Sequence, residues 1–219
     1  MLEDMDHVGL CELYSNDGLW GQPANSVTSL AFVVSGVAIL ARLRRRGRVP
    51  YALLVVGIGA GSLVQHGPYP DWQAYAHDLP IAGTVAFVAA DAVADLTGRK
   101  LPPAWWLVPT ALMVPVVAVG PAASTAAQGA LAATAIGLSL YRARVRRHLR
   151  RTLLTSVALL SAGALIGTVG DRTALCRPES LLQGHAVWHI LAALSLWQLA
   201  SAIGARADQP DRAAAVQLD

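Results

Sequence analysis

Charge is what this sequence has least of. Only 14% of its 219 residues are Asp, Glu, Lys or Arg, against 54% hydrophobic residues, and its mean hydropathy is positive. That balance argues against an ordinary soluble domain and for a membrane protein. The N-terminus lacks the basic residues of a secretory signal: it begins Met1-Leu2-Glu3-Asp4-Met5-Asp6, with no short apolar core directly behind. No cleavable signal is therefore expected, and the first helix itself is expected to direct insertion. Also missing is a continuous basic face. The net charge is +3, but the Arg residues fall in short clusters between apolar segments, which speaks against a nucleic-acid partner. The sequence shows no soluble domain, repeat or low-complexity tract, and the tail after Gly204 reads as a frayed polar terminus.

What is present is a series of apolar stretches, each near the roughly 20 residues that a helix needs to cross the hydrocarbon core. They are read at 27–43, 51–67, 77–96, 105–119, 125–141, 152–170 and 185–204. The expectation is an all-α, polytopic protein: a single seven-helix transmembrane bundle over residues 1–219, with 1–26 as an outer N-terminal segment and 205–219 as a cytoplasmic tail. The fourth stretch carries Pro109 and Pro115, with Pro121 just beyond it, and the fifth is rich in small residues such as Ala126, Ala127, Gly129 and Ala130. Both are tolerable where neighbouring helices satisfy freed backbone groups and small residues allow close packing.

Seven spans put alternate loops on alternate sides. Fifteen of the 17 Lys and Arg residues then fall on one side, from Arg42, Arg44, Arg45, Arg46 and Arg48 through Arg99, Lys100 and the 142–151 cluster to Arg206 and Arg212; only Arg172 and Arg177 fall on the other. The positive-inside rule then sets the N-terminus outside and the C-terminus in the cytoplasm. A bacterial plasma membrane is the expected setting, with the site described next toward its outer face.

Ionisable groups in or beside apolar spans are costly unless paired or functional. Ser62 and His66, four residues apart, share one face at the outer end of the second helix. Asp78 lies just inside the outer start of the third. His185 and His189, also four apart, open the seventh, with Cβ atoms about 6 Å apart on one face. Three His from two helices thus reach a similar depth, and three nitrogen ligands with one open position is the arrangement of catalytic zinc rather than of calcium or magnesium. Each piece has a plainer alternative. An HxxxH pair can be incidental, Ser62 can bond its own helix carbonyl, and Asp78 can cap a helix N-terminus. His77 is read as interfacial, on a different helix face from Asp78, while His7 and His148 are read as solvated loop residues. Asp91 and Asp95, about 20 Å from Asp78 at the helical rise, are expected to pair with inner-loop Arg residues.

Taken together, Ser62-x3-His66, Asp78 and His185-x3-His189, with Cys11-Glu12 and Pro23-Ala24-Asn25-Ser26-Val27-Thr28-Ser29 ahead of the first helix, resemble the alkaline ceramidases and their bacterial relatives. Those belong to a wider superfamily that includes the adiponectin and progestin receptors. The resemblance implies that His66, His185 and His189 hold Zn2+, that Asp78 transfers protons beside a metal-activated water, and that Ser62 assists at the metal or the developing oxyanion. It implies a membrane lipid as partner, ceramide or another N-acyl lipid, cleaved to fatty acid and amine. The family's second site, for calcium, is expected to be absent or degraded: Glu12 is present, but Gly9, Tyr14 and Gln22 stand where ligating side chains belong, and calcium needs six to eight oxygens. Cys11 and Cys176, the only cysteines, both fall on the outer side, where a disulfide is permitted. The resemblance suggests that pairing, with two unpaired thiols as the alternative. Two rival functions stand beside hydrolysis. One is a metal-containing receptor or sensor, whose branch of the superfamily has the inverted orientation. The other is a proton-coupled transporter, whose site would lie near the midplane on broken helices rather than near one face.

Overall fold

The computed structural model describes residues 10–15, 18–42 and 48–205. Among the described residues there are seven α-helices and no strand: α1 Pro23–Arg42, α2 Val49–His66, α3 Gln73–Thr97, α4 Ala104–Val119, α5 Pro121–Val145, α6 Arg150–Arg172 and α7 Gly184–Leu199. Consecutive helices pack on one another, α7 returns to α1, and α3 also meets α5. This up-and-down order gathers the starts of α1, α3, α5 and α7 with the ends of α2, α4 and α6 at one end of the bundle.

All seven expected helices are present, and the differences lie at their ends. α1 starts four residues before the expected 27, because Pro23 stands at its first position, where a missing N–H costs nothing. The next two N–H groups are taken by the Glu12 carboxylate, from Ala24 at 2.7 Å and Asn25 at 2.9 Å. α3 ends at Gly98, which adopts φ +67°, a left-handed conformation that glycine alone takes freely. α7 stops at Leu199 rather than 204, since the carbonyls beyond it turn toward two buried guanidinium groups described below.

Four segments, Pro23–Arg42, Val49–His66, Gln73–Thr97 and Arg147–Arg172, are long and apolar enough to cross a membrane, and Ala104–Val119 is a shorter apolar helix. Large apolar side chains such as Val34, Leu53, Leu112 and Leu165 are exposed on the outside of the bundle, a surface suited to hydrocarbon rather than water. Inside, Phe32, Ile39, Tyr51, Val55 and Leu153 belong to one apolar core. α1 and α2 approach backbone to backbone: a Cβ on Gly36 would lie 2.8 Å from the Ala52 carbonyl oxygen, and one on Gly59 would lie 2.9 Å from that of Ser29. Small residues allow this contact, and it sets the polar start of α1 beside the end of α2.

The end opposite to that junction is held by charge. Arg142, on α5, is 2% exposed; its Nε reaches Asp95 at 2.7 Å and its NH1 reaches Asp91 at 3.0 Å. Its NH2 donates to the carbonyls of Ala202 and Ala205 at 3.1 and 2.9 Å. Arg146 adds a contact to Asp95 at 3.3 Å, and Arg48 donates to the carbonyls of Ile203 and Ser201 at 2.9 and 3.0 Å. Asp91 and Asp95 therefore do pair with Arg residues, although Arg142 sits on a helix and not in a loop. The positions of Arg44, Arg45, Arg46, Arg206 and Arg212, of His7 and Gly9, and of the tail beyond 205 lie outside the described residues.

Candidate metal centre

The other end of the bundle collects imidazoles. His66 closes α2, and His185 and His189 occupy the first two turns of α7. One ring nitrogen from each of the three lies within 4.8 Å of the others, and the ring centroids are 5.1 Å (His66 to His185), 5.0 Å (His66 to His189) and 4.6 Å (His185 to His189) apart. Nitrogens bound to one tetrahedral zinc sit about 3.4 Å apart, given bonds of roughly 2.0–2.1 Å, so small ring rotations close the cluster. His66 is fully buried and His189 is 2% exposed, while the His185 side chain keeps 20% of its surface. The cluster opens on the His185 side.

The groups behind the rings decide which nitrogen faces inward. Gln22 donates from Nε2 to the Glu12 carbonyl at 2.7 Å, which fixes its amide and leaves Oε1 to accept from His66 Nδ1 at 2.7 Å. The Thr28 hydroxyl spends its proton on the Ala24 carbonyl at 2.7 Å, so at 3.1 Å it accepts from His189 Nδ1. Asp171 Oδ2 lies 3.6 Å from His185 Nδ1, and a carboxylate too can only accept. With Nδ1 of His66 and of His189 donating to these acceptors, the Nε2 of each carries a free lone pair. His66 Nε2 is buried and, among the described residues, has no hydrogen-bond partner. A ligating histidine is oriented in this way, its far nitrogen bonded to a carboxylate, carbonyl or similar group. Three converging imidazoles, one with an orphaned buried nitrogen, are a donor set that fits zinc.

Ser62 lies one helical turn before His66 and is 1% exposed. Asp78 is one step removed from the triad. Its Oδ1 meets His77 Nδ1 at 2.7 Å, and its Oδ2 accepts from the Ser124 hydroxyl, which in turn accepts from Gln128 at 3.1 Å. The ring that does reach the triad is His77, edge to face against His66 with centroids 6.4 Å apart. The expectation of an interfacial His77 thus gives way to a residue between Asp78 and the cluster: both His77 and Asp78 turn inward, because the start of α3 is packed on α2 and α5. His148 is exposed, as expected.

Gln22, Thr28 and Asp171 were not singled out as functional from the sequence. Thr28 belongs to the Pro23–Ser29 stretch ahead of the first helix, and Gln22 stands where the resemblance places a calcium ligand. Asp171 carried one readable signal: an acidic residue in the last turn of a helix opposes the helix dipole.

The described residues of the N-terminal segment are bound to this end. Cys11 and Cys176 form a disulfide with Cα atoms 5.4 Å apart. Reducing the thiol-blocked chain is expected to change its mobility on a denaturing gel, and equal mobility with and without reductant would contradict the bridge. The Glu12 carboxylate is engaged by the start of α1, where burial raises its pKa and the two amide bonds oppose that rise. The Tyr14 hydroxyl donates to the Gly67 carbonyl. Glu12, Tyr14 and Gln22 therefore all serve contacts within the chain.

Neither protein-family models nor characterised proteins give a match to this chain.

Proposed function

We propose that the chain is a zinc-dependent lipid amide hydrolase of the membrane, similar to the alkaline ceramidases, releasing a fatty acid and an amine from ceramide or another N-acyl lipid. The observation that carries this reading is the convergence of His66, His185 and His189, with Nδ1 of His66 and of His189 bonded to Gln22 and Thr28 and the Asp171 carboxylate facing Nδ1 of His185. These three residues would hold the metal. Zinc in such a site supplies Lewis-acid activation of a water molecule and of a carbonyl oxygen near neutral pH.

The remaining groups supply positioning and proton transfer. Gln22 and Thr28 fix the tautomers of His66 and His189. Asp78 and His77 form the acid–base pair beside the triad: the carboxylate, steadied by Ser124, orients the imidazole, and the imidazole carries a proton from the attacking water toward the leaving amine. Ser62, buried on α2 one turn before His66, stands to donate to the oxyanion. An apolar cleft lined by Thr84, Val88, Ala135, Leu153, Leu160 and Leu199 lies deeper among α3, α5, α6 and α7. Leu199, ten residues from His189 along α7, is about 15 Å from it at the helical rise, a separation on the scale of an acyl chain, and the cleft is the apolar space the reading assigns to that chain.

The membrane arrangement belongs to the same reading. We take all seven helices as spans, with the N-terminus and the triad toward the outer face of a bacterial plasma membrane and the C-terminus in the cytoplasm. The distribution of Arg and Lys supports it, as does the placement of the disulfide at the triad's end of the bundle.

The test is fatty-acid release from a panel of N-acyl lipids by the purified, zinc-loaded chain. Asp78→Asn is expected to retain zinc while losing about 10²-fold or more in rate, the scale of general acid–base catalysis. Unchanged turnover in Asp78→Asn would remove that residue from the chemistry. Zinc bound without release of fatty acid from any lipid would favour the receptor or sensor reading.

A further inference from the structure

The two residues that follow the described N-terminus touch two of the three candidate ligands at one remove. The Cys11 N–H donates to Asp171 Oδ1 at 3.3 Å, and the other oxygen of that carboxylate faces His185 Nδ1 at 3.6 Å. The Glu12 carbonyl accepts from Gln22 at 2.7 Å, and Gln22 accepts from His66 at 2.7 Å. His66 and His185 come from different helices, α2 and α7, so this dipeptide is a common support for both. It is held in turn by the bridge from Cys11 to Cys176, a residue in the loop between α6 and α7, nine positions before His185.

Asp171 is out of place unless it does something here. It lies in the last turn of α6, where the helix carbonyls already concentrate negative charge, and its side chain is only 8% exposed. An N–H from Cys11 on one oxygen and an imidazole N–H opposite the other offset that cost.

We infer that the disulfide-tied Cys11-Glu12 segment is a clamp on the metal centre, acting through Asp171 on His185 and through Gln22 on His66, so that zinc affinity depends on the oxidation state of the Cys11–Cys176 bridge. Oxidised, the chain presents both rings to the metal; reduction of the bridge to two thiols by an external dithiol or phosphine releases the segment, and the two ligands lose their support together. Asp171 is a positioning residue. This inference rests on the zinc reading above and goes further by giving the site a redox control.

The experiment uses the full chain in lipid nanodiscs, with zinc affinity read by competition with a chromophoric chelator. The bridge is opened with a phosphine, the thiols are alkylated, and the reagents are removed before zinc is added. Loss of an orienting partner typically weakens metal binding about 10- to 100-fold. Asp171→Ala is expected to fall in that range, and Asp171→Asn, which keeps an acceptor oxygen, to recover most of it. Opening the bridge in the unmutated chain is expected to weaken zinc at least as much. Opening it in Asp171→Ala should add less than the product of the separate effects, as for groups acting through one contact. The visible absorption bands of the cobalt-loaded chain should shift with Asp171→Ala and with reduction, while helicity stays constant. If the oxidised chain takes up no zinc, the metal reading fails and the clamp with it. If the oxidised chain binds zinc but opening the bridge changes affinity less than about threefold, or the two changes simply multiply, the clamp alone is overturned.

Discussion

His66→Ala is expected to raise the zinc dissociation constant by more than about 100-fold and to remove lipid hydrolysis, while the chain still inserts and folds. The lower bound follows from scale: losing only the partner behind a ligand costs about 10- to 100-fold, and this substitution removes the ligand itself. Insertion is spared because His66 is the last residue of α2, so no helical span is interrupted and no apolar contact of the core is lost. The substitution also removes the shorter of two hydrogen bonds to Gln22 Oε1, leaving that from Asn25 Nδ2, a smaller penalty of about 1 kcal/mol for a net hydrogen bond. His189→Ala should behave alike, with Thr28 losing the imidazole but keeping its bond to the Ala24 carbonyl. Zinc content and helicity measured on the same sample separate loss of the metal from loss of the fold. An unchanged zinc affinity in His66→Ala would show that the three rings meet for another reason.

The largest loss of stability is expected at the far end of the bundle. Arg142→Ala leaves Asp91 and Asp95, 8% and 2% exposed, without the guanidinium that faces both, and leaves the Ala202 and Ala205 carbonyls without its NH2. Removing one partner of a buried ion pair costs roughly 3–5 kcal/mol, and the contact of Arg146 with Asp95 and the Gly204 N–H on Asp91 hold the loss toward the lower end of that range. Arg142→Lys retains the charge but not the planar fork that reaches two carboxylates and two carbonyls at once, so an intermediate loss is expected. Zinc affinity in the folded fraction should not change, since Asp91 and the triad's end of α3 are about 20 Å apart at the helical rise. Thermal unfolding in nanodiscs checks the first statement and the chelator competition the second. A stability change below about 1 kcal/mol would mean that the network is solvated in the membrane-bound chain.

Helices and the histidine cluster were legible in the sequence for different reasons. Runs of apolar residues long enough to span a bilayer locate a helix without any knowledge of its neighbours, and the four-residue spacing of Ser62 with His66, and of His185 with His189, is a local property of one helix face. Helix ends were less legible, since they depend on distant partners: α1 begins at Pro23 with the Glu12 carboxylate over its first amides, and α7 stops where Arg48 and Arg142 take the carbonyls beyond it. The groups behind the clustered imidazoles were hidden for the same reason. Gln22 and His66 are separated by 44 residues, and Thr28 and His189 by 161, so no periodicity links them. His77 shows the limit of a helix-face argument. Its side chain turns to Asp78, the next residue, and its ring still meets His66, because the start of α3 lies against the end of α2.

Zinc-edge X-ray absorption on the purified, oxidised chain tests the central claim most directly. One zinc per chain is expected, with a nearest shell containing three imidazole nitrogens at about 2.0–2.1 Å and the multiple-scattering pattern of the rings. A chain that acquires no zinc, or a shell of oxygen or sulfur without imidazole, would contradict it.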